Sequence, residues 1–260
     1  MHAAPPPRVA LVPNAIAFRD PSHGLLGTGA TSCESAAFGC RLRGTISLTA
    51  DGGKRWTVVL RTPRPVVWVG YAGRAAWARL DDGENLRSGD NGRTWQPAVA
   101  PVVPAAPCPP ALAVFAHEVV LTPGGREWAL CAGEGGAGSM SKAVYRLSSH
   151  GWRRVAYTPA GGRVHGGIAA YGYPRGLTMA DDGFGLIWEE RGTLYVTRDS
   201  GSHWTGLPTV ARPEVDFGRS AVALPNGIGF ALLARGGGEV RRLIVTRDAG
   251  RSWHVVHRWK

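Results

Sequence analysis

Four times along the chain the pattern Ser/Thr-x-Asp-x-Gly-x-x-Trp recurs: TADGGKRW (49–56), SGDNGRTW (88–95), TRDSGSHW (197–204) and TRDAGRSW (246–253). A shortened fifth copy stands at LSSHGWRRV (147–155), where Trp152 takes the tryptophan place and the aspartate is lost. The five tryptophans, Trp56, Trp95, Trp152, Trp204 and Trp253, lie 39, 57, 52 and 49 residues apart. A period near fifty that runs through a 260-residue chain means one supersecondary unit repeated, each copy burying its apolar face against the next.

The surroundings of the copies are alike. A β-rich run leads in, as in GTISLTAD (44–51) and GTLYVTRD (192–199), and another leads out, as in RWTVVLRT (55–62) and SWHVVHR (252–258). The motif therefore belongs at a hairpin turn. There the hydroxyl of Thr49, Ser88, Thr197 or Thr246 and the carboxylate of Asp51, Asp90, Asp199 or Asp248 can accept backbone N–H bonds, while Gly53, Gly92, Gly201 or Gly250 supplies a positive φ. The tryptophan opens the outgoing strand and offers a large apolar face to its neighbours.

Further strands precede each hairpin. NAIAFRD (14–20), VVWVGYA (66–72), ALAVFA (111–116), GLTMADD (176–182) and SAVALPN (220–226) read as the first of them, followed by runs such as HGLLGTG (23–29) and GFGLIWEE (183–190). Four strands per repeat predict an all-β β-propeller of about five four-stranded blades, drawn at 14–62, 63–98, 110–158, 163–208 and 214–258. Six or seven blades is the alternative, if the long links conceal another sheet or RVALV (8–12) completes one. Residues 1–13 read as a disordered leader or processed N-terminal region, and 14–260 as a single propeller domain.

The 37 Gly and 19 Pro suit a chain of short strands and tight turns. No apolar run approaches the roughly 18 residues of a membrane-spanning helix. The net charge is +11, yet only Lys54, Lys142 and Lys260 among the 30 basic residues are lysines, and no run of five or six basic residues forms a polybasic arm. Nucleic acid is not an expected partner, because the aromatics are taken up by blade packing. Cys33, Cys40, Cys108 and Cys131 form no C-x-x-C pair; Cys33–Cys40 with Cys108–Cys131 is the economical pairing among three, and four reduced thiols the alternative. His254 and His257 would point to opposite faces of a strand, and CAGEGGAG (131–138) precedes a strand where a phosphate loop needs a helix, so no metal or other cofactor is expected.

The motif copies resemble Asp-box repeats, also called bacterial neuraminidase repeats, of the sialidase superfamily. With IAFRDPSHGLLGTG (16–29) they are similar to the blades of photosystem II stability/assembly factor-like propellers, over 14–258. The resemblance implies that the motif turns lie away from the ligand-binding face. That face would be built from the loops between second and third strands and the links between blades.

Several candidates fall in or beside those segments: Arg41, Arg43, Arg64, Arg163, His165, Tyr171, Tyr173, Arg191, Arg212 and Arg241. Arginines converging there would select an anionic ligand, since guanidinium forks match carboxylate and sulfate geometry. PAGGRVHGGIAAYGYPRG (159–176) is the longest Gly-rich link and the best single candidate for a binding loop. Sialidase chemistry, implied by the same resemblance, wants arginines on the sugar carboxylate and a tyrosine nucleophile beside a glutamate. Tyr171 or Tyr173 with Glu189 or Glu190 would fill those roles, although FRDP (18–21) departs from the family's Phe/Tyr-Arg-Ile-Pro motif at Asp20. The expected function is a non-catalytic binding or assembly module for a protein partner or an acidic glycan. It is expected as a monomer, secreted or attached to the cell envelope, with any signal sequence or lipoprotein tether outside this sequence. A sialidase-like glycoside hydrolase is the alternative.

Overall fold

A computed structural model describes residues 11–33, 40–100, 107–112, 116–122, 124–159, 164–190, 193–207, 216–235 and 240–259. These residues form five four-stranded antiparallel sheets, each an unbroken meander in chain order. The first contains β1 (Val12–Phe18), β2 (Gly24–Cys33), β3 (Cys40–Thr49) and β4 (Thr57–Thr62). The second contains β5 (Val66–Ala72), β6 (Ala75–Leu80), β7 (Asn85–Ser88) and β8 (Gln96–Pro97). β9 (Ala116–Leu121), β10 (Glu127–Gly136), β11 (Ser139–Ser148) and β12 (Gly151–Thr158) make the third. β13 (Tyr173–Met179), β14 (Gly185–Glu190), β15 (Leu194–Thr197) and β16 (Thr205–Gly206) make the fourth. The fifth contains β17 (Asp216–Leu224), β18 (Ile228–Arg235), β19 (Val240–Thr246) and β20 (His254–Arg258).

Burial follows strand position. β14 and β15 are buried along almost their whole length, because a sheet pressed between two others is apolar on both faces. The outer strands β4 and β20 are largely exposed. Four apolar clusters fill four seams. Ala15, Leu25 and Ile46 meet Val69 and Ala78 between sheets one and two. Ile16 and Leu26 meet Phe230 and Leu232 between one and five. Trp128 and Leu130 meet Leu177 and Ile187 between three and four. Leu186 and Val196 meet Ala231 and Ile244 between four and five. The first and last sheets join without strand exchange; Phe18 and Phe230 stack there with ring centroids 3.7 Å apart.

The four full motif copies fold alike. In each, the Ser/Thr hydroxyl donates to the Asp Oδ1 at 2.7–2.9 Å and accepts the glycine N–H at 2.8–3.0 Å. The same Asp Oδ1 accepts the backbone N–H of the residue before the tryptophan at 2.9 Å. The glycine, at φ between 78° and 90°, presses against the preceding sheet. A Cβ on Gly53 would stand 2.4 Å from Leu243, on Gly92 2.8 Å from Leu25, and on Gly250 2.8 Å from Val196. The motif thus pins the second, fourth and fifth sheets to the one before each, and the first to the last. The third sheet lacks it: its turn is Ser149–His150, and a Cβ on Gly151 would meet nothing within 4 Å.

One sequence expectation changes. Ala111 and Leu112 of ALAVFA (111–116) do not open the first strand of the third sheet, and residues 113–115 lie outside the described residues. The prolines before Ala111 start a 3₁₀ turn at Pro110–Leu112, closed by Leu112 N–H to the Pro109 carbonyl at 2.8 Å, and the strand begins at Ala116. Residues 30–33 and 40–44 are strand, with Cys33 opposite Cys40 in the β2–β3 ladder; the side chains of that pair lie outside the described residues, so the Cys33–Cys40 bridge does too. β10 and β11 are joined by a two-residue turn, Ala137–Gly138, both at positive φ. Cys108 and Cys131 are disulfide-bonded, with Cα atoms 5.6 Å apart, which staples the Pro-rich link to β10. Leu112 packs with Cys131, Ala143 and Tyr145 on that side of the third sheet, and Trp152 joins them rather than reaching the second sheet.

Candidate functional site

The first strands, β1, β5, β9, β13 and β17, line a common cavity of about 1380 Å³. In four of them the pairing with the next strand slips once near the start: between Pro13 and Ala15, Val66 and Trp68, Pro174 and Gly176, and Gly218 and Ser220. A β-bulge adds one residue and re-aims its side chain. The added residues are Asn14, Val67, Arg175 and Arg219, and all four line the cavity. In an antiparallel meander the first–second and third–fourth strand turns share one end, so these bulges lie at the end opposite the motif turns.

Neighbouring first strands are tied by single hydrogen bonds along the channel. Asn14 Nδ2 donates to the Val66 carbonyl at 3.2 Å, Ile16 N–H to Ser220 Oγ at 3.1 Å, and Ala223 N–H to Thr178 Oγ1 at 3.1 Å. At the seam between sheets three and four, Asp181 accepts from the Thr122 hydroxyl and from Gly124 N–H.

Arg19, Arg79, Arg175 and Arg219 line the cavity, against Asp181 as its one lining carboxylate among the described residues. Arg175 is ion-paired with Glu190; Arg19, just past the end of β1 on the motif-turn side, reaches Asp20 at 3.4 Å and donates to Asn91 Oδ1 at 2.5 Å. Two indoles lie over glycines at the bulge end. A Cβ on Gly176 would stand 2.0 Å from the Trp188 ring, and one on Gly70 2.5 Å from the Trp68 ring, so each glycine is what lets a tryptophan lie along the sheet. The arrangement can attract an anion and offer it flat apolar surface.

The residues expected from the sequence are placed as follows. Glu189 is fully buried and takes Lys142 Nζ on Oε1 at 2.5 Å; Lys142, equally buried, also donates to the carbonyls of Ala169 and Tyr171, each at 2.8 Å. Burial pushes the Glu189 carboxyl up to about 7 against the opposing pull of Lys142, and burial draws the Lys142 ammonium down. Glu189 Oε2 has no partner among the described residues. The phenol of Tyr195, pushed up to about 12 chiefly by burial, accepts Ala169 N–H at 3.1 Å. Glu190 sits opposite Tyr173 in the β13–β14 ladder. Tyr171 pairs with Ser139 in a single bridge and is half exposed. Both candidate glutamates are therefore engaged by cations.

Arg64 lies 3.1 Å from Asp81 and 3.3 Å from Asp82, so its charge is answered locally. His165 is exposed, with its backbone paired to Tyr157 in both directions. Arg43 is exposed near the end of the β2–β3 ladder. Arg163, Arg191 and Arg212, and the side chains of Arg41 and Arg241, lie outside the described residues. Sequence reading missed Asn14, Trp68, Arg79, Trp188 and Arg219. A faint signal existed: VPNA, YPRG and FGRS each place Asn or Arg between a Pro or Gly and a small residue at the head of an apolar strand.

No family model and no curated protein matches the sequence. Among solved structures, a mutant GH32 β-fructofuranosidase from Bombyx mori in complex with sucrose is similar at a TM-score of 0.50 and 11% identity; 96% of this chain spans 63% of that one. YCF48 bound to D1 peptide matches at a TM-score of 0.43 and 16% identity, covering 88% of this chain and 92% of that one. A GH74 enzyme from Niastella koreensis matches at 0.39 and 13%, covering 95% and 47%. Likeness at such identities concerns the fold alone, and that fold is the β-propeller. No helix among the described residues is long and apolar enough to cross a membrane.

Proposed function

We propose that residues 14–260 form one five-bladed Asp-box propeller that works outside the cytoplasm as a non-catalytic binding or assembly module. It engages an anionic partner, either an acidic glycan or an acidic protein surface, at the channel end opposite the motif turns. The observation that carries this reading is the repeated bulge, which brings Asn14, Val67, Arg175 and Arg219 to one rim of a cavity that Arg79 also lines. Bulges repeated at one level across separate sheets support a shared role for that rim. The Cys108–Cys131 disulfide supports an oxidising compartment.

A hydrolase would need a carboxylate free to act on Tyr171 or Tyr173. Lys142 holds Glu189 and Arg175 holds Glu190, which favours binding over turnover. The test pairs a fluorogenic sialoside panel with a glycan and peptide array, read at two salt concentrations. The expected result is no turnover and retention of acidic ligands that weakens as salt rises. Turnover abolished by Tyr171→Phe or Tyr173→Phe would make the protein an enzyme instead.

A further inference from the structure

We infer that the far face of the second sheet, at its seam with the third, is a carbohydrate-binding surface that takes an acidic oligosaccharide. The inference rests on the binding-module reading and places its ligand. Two cross-strand rows cover this face: Trp68, Arg79 and Asn85, then Gly70, Trp77 and Arg87. Their neighbours of opposite parity, Val69, Ala76, Ala78 and Leu86, point the other way into the cluster against the first sheet.

Each other seam holds an apolar cluster, and the charges buried between sheets three and four, Lys142 and Glu189, answer each other, whereas this face carries two guanidinium groups and no carboxylate. Guanidinium groups cannot be buried dry without partners. Among the described residues neither Arg79 nor Arg87 has an ion pair; Arg87 lies over the Trp77 ring at 5.8 Å. The sheet that should cover the face does not. The third sheet has lost the motif that would pin it to the second, and its own facing side is occupied by Leu112 and the Cys108–Cys131 staple. The cavity accordingly continues from the channel into the seam, between Trp68 and Arg79 on one wall and Val119 and Leu121 on the other.

The chemistry of that wall fits a charged sugar. Trp68 is 42% exposed, and with Gly70 beneath it the indole presents a flat apolar shelf that matches the C–H face of a pyranose ring. Arg79, next to it in the row, and Arg87 place guanidinium forks where the carboxylate of a uronate or a sulfate ester would sit.

Isothermal titration of the intact chain with a heparin-derived hexasaccharide, a hexagalacturonate, neutral cellohexaose and hexaglutamate tests the assignment. Thermal melts confirm that each variant is folded. An acidic hexasaccharide should bind and cellohexaose should not, and Trp68→Ala and Arg79→Gln should each weaken binding about tenfold or more. If acidic saccharides bind but only Arg175→Gln and Arg219→Gln weaken them, the seam is overturned while the channel rim stands. Capture of hexaglutamate through Trp68 with no saccharide bound overturns the ligand class and leaves a protein partner. Silence towards all four probes overturns both the seam and the binding of acidic ligands.

Discussion

Lys142→Met should be the most damaging single change at the seam between the third and fourth sheets. The ammonium has no exposure and three hydrogen bonds, to Glu189 and to the carbonyls of Ala169 and Tyr171. Removing it leaves a buried carboxyl without its cation, and breaking a buried pair in this way costs about 3–5 kcal/mol. Lys142→Met with Glu189→Leu removes the stranded carboxyl as well and should recover at least about 2 kcal/mol of that loss. The loss must also depend on pH. Without the ammonium, the folded-state pKa of Glu189 rises further above its ordinary value of 4.5. Between those two values the folded protein keeps a proton that the unfolded chain releases, so stability falls as pH rises, by about 1.4 kcal/mol per unit. Urea denaturation of the native chain, the single and the double variant at pH 5 and pH 8 reads all three effects. A loss under about 1 kcal/mol, or a deficit no larger at pH 8 than at pH 5, would refute the picture of a dry, mutually dependent pair.

Gly250→Ala forces a side chain into φ +78° and within 2.8 Å of Val196, so chemical denaturation should show a loss of about 2–4 kcal/mol, while the same change at the open Gly151 should cost no more than the positive φ alone, about 1–2 kcal/mol. The carboxyls of Asp51, Asp90, Asp199 and Asp248 are held below their ordinary 3.8 by the turn hydrogen bonds, so their contribution is intact above that value and is lost as pH falls through the folded-state pKa; acid unfolding followed by circular dichroism should begin below about pH 4. Cys108→Ala opens a loop of 23 residues' separation and should lower stability by about 3 kcal/mol in urea titrations, with the fluorescence of Trp152 reporting the loosened staple.

The hairpins were legible because each motif residue answers a local need: a hydroxyl for the glycine N–H, a carboxylate for the N–H before the tryptophan, a glycine where a Cβ would strike the preceding sheet. Five sheets follow from counting them. The start of the third sheet was not legible, because Ala111 and Leu112 belong to a run as apolar as any strand and only the turn set by Pro109 and Pro110 takes them out of it. The bulges were hidden for a different reason: they are properties of register between two strands, so Arg219 looks like an ordinary strand residue until β18 is laid beside β17. Glu189 was noticed as a possible catalytic group, but its partner lies 47 positions earlier in another sheet, and nothing local announces that the two meet. Trp68, Trp77 and Arg79 share one face of the second sheet, yet that placement gains meaning only when the opposite face proves to be the packed one.

Hydrogen–deuterium exchange of the intact chain with and without a saturating acidic hexasaccharide tests the central claim most directly. Slower exchange is expected in β5 and β6 and at the starts of β13 and β17, with the motif turns at 50–56, 89–95, 198–204 and 247–253 unchanged. Protection confined to those turns, with the first strands unaffected, would contradict it.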